Sequence, residues 1–181
     1  MSKSYRIIEN CEDYTEWTIL GNETADLAAS TACITGTVSL EFAKVNASAT
    51  TAVGGAYKTF AGDDVKIFAG LTPMDYIIAQ FYISDMTNVD YALLRMGTSA
   101  TAYLEWRFED SSMIVGWNSI AVKIGNCNQY NTTTGSWTSL GIPLTDPTYM
   151  AVGVKFDSEA NALAGIKFDH IAIAKAERTV T

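Results

Sequence analysis

The sequence predicts an all-β protein folded as a β-sandwich, and two observations carry that prediction. Short apolar runs rich in Val, Ile, Phe, Tyr and Trp recur along the chain, and clusters of Ser, Thr, Gly, Asn and Asp separate them. No segment shows a long helical period of apolar residues. Because the chain has 181 residues, 48% of them apolar, we expect one domain over 1–181 with short N- and C-terminal arms.

Eight segments fit the strand pattern best, which is about the number of strands in a jelly roll. They are 37–42, 65–68, 76–83, 91–96, 103–108, 119–124, 150–156 and 165–174. The predicted fold class is therefore an all-β, single jelly-roll β-sandwich.

The last predicted strand changes its pattern half-way. Ile166 and Phe168 share one parity, whereas Ile171 and Ile173 share the opposite one. Since successive side chains of a strand point to opposite faces, a β-bulge or a change of sheet is predicted near Asp169.

The charge and the apolar pattern exclude several kinds of partner. With 12 basic and 20 acidic residues the net charge is -8, which is unsuited to neutralising nucleic-acid phosphates. No apolar run approaches the ~20 residues of a membrane helix, and the N-terminus lacks the apolar core of a secretion signal. We expect no nucleic-acid or membrane partner, and a protein made in the cytoplasm without export through a signal peptide.

Five segments follow one another in an order that matches a known group of domains. The first, IIENCEDYTEW at 7–17, fits the opening "hydrophobic, Asp, Asp, Phe, Glu, Asp, Gly, x, x, Trp", with Asn10, Cys11 and Tyr14 replacing an acid, the aromatic and the glycine. The later segments are ITGTVSL at 34–40, FYISD at 81–85, GWN at 116–118 and GIKFDHIAI at 165–173. Together they resemble the motifs of galactose-binding-like jelly rolls and related carbohydrate-binding modules.

The resemblance implies two functions of different classes. Such domains occur as glycan-binding modules beside secreted enzymes, and similar jelly rolls occur as virion proteins of tailed bacteriophages. Because neither a signal peptide nor a catalytic neighbour is evident, the first hypothesis is a structural virion protein, a capsid decoration or cement protein on the outer shell. The alternative is a carbohydrate-binding module or a glycan receptor domain.

The capsid-decoration hypothesis predicts both the partners and the contact surface. A decoration protein binds capsid shell proteins and copies of itself, so a homo-oligomer in the virion is expected. The predicted contact segments are 1–6, 46–57 and 174–181, since loops and chain ends that bind a neighbour are ordered by it.

An enzyme is not expected, because the sequence lacks a convergent catalytic set. His170 is the only histidine, and it follows Asp169 without a nucleophile signature. Acids that are sequence neighbours, as at 12–13, 63–64 and 109–110, point to opposite faces of a strand and do not form the carboxylate pair of a glycosidase.

The resemblance also implies a structural calcium site. Related domains bring an N-terminal glutamate together with an aspartate of the last strand, which correspond to Glu12 and Asp169, and carbonyls near 31–36 would complete the shell. The alternative to calcium binding is that these carboxylates are buried and only accept hydrogen bonds from the protein.

Glycan binding requires an exposed aromatic platform beside hydrogen-bonding groups, because sugars present both C–H faces and hydroxyl edges. The candidates are Tyr130 and Trp137, which flank a polar loop, followed by Trp106 and Tyr103. In a sandwich with 11% aromatic residues, most rings fill the core, so each candidate is weighed against a packing role.

Overall fold

The computed structural model describes residues 5–46, 52–60, 71–131 and 147–176. These residues form twelve β-strands in two antiparallel sheets, together with two short 3₁₀ turns at Tyr14–Glu16 and Asp110–Ser112. The sheets pack face to face, which confirms the predicted β-sandwich. In the described ranges, no helix has the length and hydropathy of a membrane span.

Sheet A contains six strands. They are β1 (Tyr5–Glu9), β3 (Thr24–Ser30), β4 (Ser39–Lys44), β6 (Tyr76–Ile83), β9 (Gly116–Lys123) and β12 (Leu163–Ala174). The order is β3-β4-β12-β6-β9, and β1 pairs with the last part of β12, beyond the part that β4 uses.

Sheet B contains the other six strands. They are β2 (Thr18–Ile19), β5 (Val53–Thr59), β7 (Val89–Ser99), β8 (Ala102–Glu109), β10 (Asn128–Asn131) and β11 (Tyr149–Phe156). The order is β10-β8-β7-β11-β5-β2, so β7 and β11 occupy the centre.

Aromatic rings fill the space between the sheets. On sheet A, the ring of Phe168 stacks on Phe42 and Phe81, with centroids 6.1 Å and 5.4 Å apart. Phe81 also meets Phe108 of sheet B at 5.6 Å. These rings join the two sheets through one continuous core.

The last strand confirms the predicted bulge. Ile166, Phe168, Ile171 and Ile173 all belong to the core, although their parities differ. The pairing of β12 with β6 shifts between Phe168 and His170, so the residue between them absorbs the change of parity.

Seven of the eight predicted strands are present, with ends that differ by up to three residues, and the eighth, 65–68, lies outside the described residues. The strands that sequence patterns missed are short or rich in small residues, as in VGGAYKT of β5 and TADLAAS of β3. Glycine and alanine weaken a strand signal. Pairing with β11 and β2 on both sides supports β5, whereas β3 lies at the edge of sheet A and pairs only with β4 among the described strands.

All three predicted contact segments are partly wrong, and in the C-terminal segment Ala174 is the last residue of β12. Tyr5 and Arg6 belong to β1 and pair with β12, so this part of the N-terminal arm is an integral strand. Residues 53–57 belong to β5, which lies between β11 and β2 in sheet B. Residues 1–4, 47–51 and 177–181 lie outside the described residues.

Candidate functional site

Asp169 lies at the bulge of β12 and is fully buried. Its Oδ2 accepts hydrogen bonds from the backbone N–H groups of Ile34, at 2.6 Å, and Thr35, at 2.8 Å. The hydroxyl of Thr35 lies 3.4 Å from both carboxylate oxygens. The bulge thus directs a buried carboxylate at the loop that precedes β4.

Glu12 holds the same loop at its other end. Its Oε1 accepts from the N–H of Thr37 at 2.9 Å, and its Oε2 accepts from the Thr37 hydroxyl at 2.6 Å. These hydrogen bonds lower the pKa of Glu12. Gly36 lies between these anchors at φ +71°, a conformation that favours glycine, and a Cβ there would also displace the Glu12 carboxylate from Thr37.

Glu12 and Asp169, the two residues predicted to bind calcium, thus lie at one loop. Their carboxylates accept hydrogen bonds from N–H and O–H groups of that loop. Calcium takes about six to eight oxygen ligands, whereas N–H and O–H groups of 34–37 occupy these carboxylates. Within the described ranges, no three His, Cys, Asp or Glu side chains form a group suited to a metal ion. The arrangement fits calcium poorly, and the calcium site stays a prediction.

Two of the four residues of the predicted aromatic platform, Trp106 and Tyr103, are buried. Trp106 is 0% exposed, and its indole N–H donates to the carbonyl of Ile124 at 3.0 Å. Its prediction as an exposed platform is wrong, because the even-numbered positions of β8 face the core. Tyr103 has the opposite parity and lies on the outward side of sheet B, but it is 9% exposed, so its prediction as an exposed platform is also wrong. Tyr130 of β10 pairs with Tyr103 in register. Trp137 lies outside the described residues.

Tyr103 belongs to a larger set on the outward side of sheet B. In one row across the sheet, Tyr149, Gly97 and Tyr103 are register partners. We call this surface the tyrosine face. Its members are Tyr57, Tyr91, Leu93, Arg95, Tyr103, Glu105, Arg107 and Tyr149, around the small residues Gly97, Ala151 and Gly153. Tyr91 and Leu93 pack together in a second apolar cluster, and Tyr103, Glu105 and Tyr149 are also buried.

Two tyrosines form an aromatic pair on one side of this face. The rings of Tyr57 and Tyr149 stack with centroids 5.7 Å apart and an interplanar angle of 29°. Tyr57 is register partner to Ala151, which in turn faces Arg95. Ala151 therefore separates Tyr57 from Arg95, and Gly97 separates Tyr149 from Tyr103.

Glycine keeps the middle of the tyrosine face free of side chains. A Cβ on Gly153 would lie 2.6 Å from the carbonyl oxygen of Gly54, and one on Gly97 would collide with the carbonyl of Ala102. Neither position tolerates a larger residue without moving a neighbouring strand. The result is a floor of backbone between taller side chains.

Charged residues form the opposite side of the face. Glu105 accepts from Nε of Arg95 at 2.9 Å and from Nε of Arg107 at 2.7 Å. The Arg95 guanidinium lies over the Tyr103 ring at 4.7 Å, and that of Arg107 lies over Tyr91 at 4.4 Å. Each arginine is thus fixed by one ion pair and one cation–π contact.

Tyr149 carries a polar group that the described residues leave unsatisfied. Its side chain is 2% exposed, and its hydroxyl finds no hydrogen-bond partner in the described part of the chain. Burial raises the pKa of Tyr149 to about 12, so the hydroxyl keeps its proton at neutral pH. A buried polar group without a partner is a candidate for binding a ligand.

Comparisons with solved structures identify the fold. A family 11 carbohydrate-binding module from Clostridium thermocellum, in complex with a β-1,3-1,4-mixed-linked tetrasaccharide, superposes with a TM-score of 0.63 at 10% identity over 95% of this chain and 96% of that chain. The family 11 module of the cellulosomal cellulase Lic26A-Cel5E of Clostridium thermocellum gives 0.60 at 9% identity over 97% of both chains. The chain shares the jelly-roll fold of these modules. No family model and no curated protein matches the sequence.

Within this carbohydrate-binding-module fold, strand parity was the signal that could have found the tyrosine face. Arg95 alternates with the core residues Leu94 and Met96, and Glu105 alternates with Leu104 and Trp106. Polar and aromatic residues on the outward parity of two adjacent strands indicate a functional surface. Their pairing across the sheet depends on register, which the sequence does not specify.

Proposed function

We propose that this protein binds carbohydrate through the tyrosine face. The observation that carries the proposal is the stacked pair of Tyr57 and Tyr149, which lies across a floor of small residues from Arg95 and Tyr103. Sugar rings present apolar C–H faces to aromatic side chains and hydroxyl edges to hydrogen-bonding groups. The tyrosine face offers both kinds of partner on one sheet.

Each part of the face has a role in such binding. The tyrosine rings contact the C–H faces of sugar units, while the guanidinium groups of Arg95 and Arg107 donate to ring and hydroxyl oxygens. The Glu105 carboxylate holds both guanidinium groups in place. Because these side chains are ordered before the ligand arrives, binding costs little side-chain entropy.

The proposed activity is binding without catalysis. Glycoside hydrolysis needs two carboxyl groups on either side of the scissile bond. Glu105 is occupied by two arginines, an arrangement suited to holding them and unsuited to the proton transfer that a general acid performs.

Similarity of fold supports the glycan hypothesis over capsid decoration. A solved structure with this fold holds a mixed-linked tetrasaccharide, so a β-1,3-1,4-glucan is the first ligand to test. Capsid decoration was the first hypothesis from the sequence, but parts of its predicted contact segments lie within β1 and β5.

Affinity electrophoresis tests the proposal. The wild-type protein is run through native gels that contain mixed-linked β-glucan or other plant and microbial polysaccharides, and we expect at least one of them to retard it. Tyr57→Ala should abolish the retardation. Tyr82→Ala is the matched control, because Tyr82 is a half-buried tyrosine on the outward side of sheet A. Equal loss in both variants, or no retardation of the wild type by any polysaccharide, would refute the proposal.

A further inference from the structure

The chemistry of the tyrosine face points to one class of sugar, an inference that rests on the proposed function. We propose that this face selects glycans that carry a carboxylate, as polymers of uronic acids do, and that Arg95 binds the carboxylate beside the hydroxyl of Tyr149.

The tyrosine face places cationic side chains together in a chain that is acidic as a whole. The outward positions of β7, β8 and β11 carry Arg95, Arg107 and Lys155, with the acids Glu105 and Glu109 beside them and Asp90 exposed at the bulge of β7. The chain as a whole has a net charge of -8. Because that overall charge repels polyanions, a preference for an acidic glycan has to come from direct contact with the arginines of this face.

Arg95 has the geometry to make that contact. It donates to Glu105 through Nε, and its guanidinium plane is fixed over the Tyr103 ring. No other hydrogen bond of Arg95 occurs within the described part of the chain, so both Nη groups keep donors for a ligand. Two parallel N–H donors match the two oxygens of a carboxylate.

Tyr149 supplies the neighbouring donor. Its hydroxyl has no partner in the described residues, and it lies within electrostatic range of Arg95, Tyr103 and Tyr57. In the sheet, Tyr149 and Tyr103 lie on either side of Gly97, and the Arg95 guanidinium lies over the Tyr103 ring. A carboxylate oxygen that accepts from this hydroxyl would satisfy a buried donor that is otherwise unpaired.

A neutral sugar can use the same rings and donors, but it gains less from them. Hydrogen bonds between a guanidinium and a carboxylate are charge-assisted and roughly twice as strong as neutral ones. The same surface should therefore distinguish an acidic sugar from its neutral counterpart with identical linkages.

The test uses pairs of glycans that differ only in the acid group. Oligosaccharides of polygalacturonate, alginate and glucuronoxylan are each compared with the same material after chemical reduction of its carboxyl groups to alcohols. Dissociation constants are measured by isothermal titration calorimetry. We expect the wild-type protein to bind at least one acidic form about tenfold or more tighter than its reduced form.

Variants at Arg95 assign the selectivity. Arg95→Lys keeps the positive charge but lacks the two parallel N–H donors of a guanidinium, and Arg95→Gln removes both the charge and those donors. In each variant the dissociation constants of the acidic and reduced forms should therefore differ by no more than about twofold. Tyr149→Phe should reduce the preference without removing it. Arg6→Gln, at an exposed arginine of β1 in sheet A, should leave the preference unchanged. Thermal melts show which variants remain folded.

Each outcome has a separate meaning. If the wild type binds acidic and reduced forms equally, the inference fails while carbohydrate binding stands. If Arg95→Lys remains folded and keeps the full preference, the role of Arg95 is refuted. If neither these forms nor any neutral glycan binds, the proposed function itself fails.

Discussion

Asp169 illustrates what a single residue does in this fold. The resemblance predicted it as a calcium ligand, and its position at the bulge was predicted from the parity of the flanking isoleucines. In the structure it accepts hydrogen bonds from Ile34 and Thr35, which join the loop before β4 to the last strand. The position of Asp169 at the bulge could be predicted from the sequence. Its hydrogen-bond partners could not, because they depend on how the loop before β4 packs against the last strand.

Replacing Asp169 tests its anchoring role. Asp169→Asn removes the charge that strengthens two buried hydrogen bonds, so the free energy of unfolding should fall by about 2 kcal/mol in urea denaturation. Asp157→Asn, at an exposed aspartate that accepts from Asn161, should change it by less than about 0.5 kcal/mol. Similar losses in both variants would contradict the anchoring role.

Residues of the tyrosine face were predicted unevenly. Tyr103 was a candidate because it lies in a recognisable strand, but Tyr57 was assigned to a loop and Tyr149 lay just before a predicted strand. Two glycines in β5 obscured the strand pattern around Tyr57. Trp106 was placed on the wrong side of its strand because composition does not reveal which parity faces the core.

At the scale of elements, a buried lysine connects the two sheets. Lys58 points inward from β5 of sheet B and forms ion pairs with Glu9 of β1 in sheet A and with Glu16, at 2.7 Å. Burial opposes its charge, but the hydrogen bonds with Glu16 and Glu9 outweigh that effect and raise the pKa of Lys58. Such a pair is costly to break from one side only, since the remaining charge is left buried.

Substitutions at the Lys58–Glu9 ion pair should have distinct effects on the free energy of unfolding. Lys58→Met should lower the free energy of unfolding by roughly 3 kcal/mol, because it removes the ion-pair partner of Glu9, which is 8% exposed. Adding Glu9→Gln to Lys58→Met should recover part of that loss, which a double-mutant cycle measures. Lys123→Met, on the outward side of β9, serves as the control. A double variant as unstable as the sum of its single variants would contradict the link.

At the scale of the whole molecule, order and alternation of the apolar runs were sufficient to predict the sandwich. Five motif segments in sequence indicated a carbohydrate-binding-module jelly roll, and the comparisons confirm that fold. The pairing of β1 with β12 was not predicted, because the ends of a chain carry little local signal for the strand they join.

Chelation tests the metal prediction on the intact protein. Since loop donors already satisfy Glu12 and Asp169, we expect the melting temperature in a calcium chelator to equal that in millimolar calcium. A lower melting temperature in chelator, restored by calcium, would establish the predicted site, because a ligand that binds only the folded state stabilises it.

Amide chemical-shift mapping with a bound oligosaccharide tests the central claim, that carbohydrate binds the tyrosine face. A ligand identified by affinity electrophoresis is titrated into isotope-labelled protein, and backbone shifts are followed residue by residue. We expect the largest changes at Gly97, Ala151 and Gly153, on the floor of that face. Changes centred instead on the outward side of sheet A, around Tyr82 and Trp117, would contradict the claim.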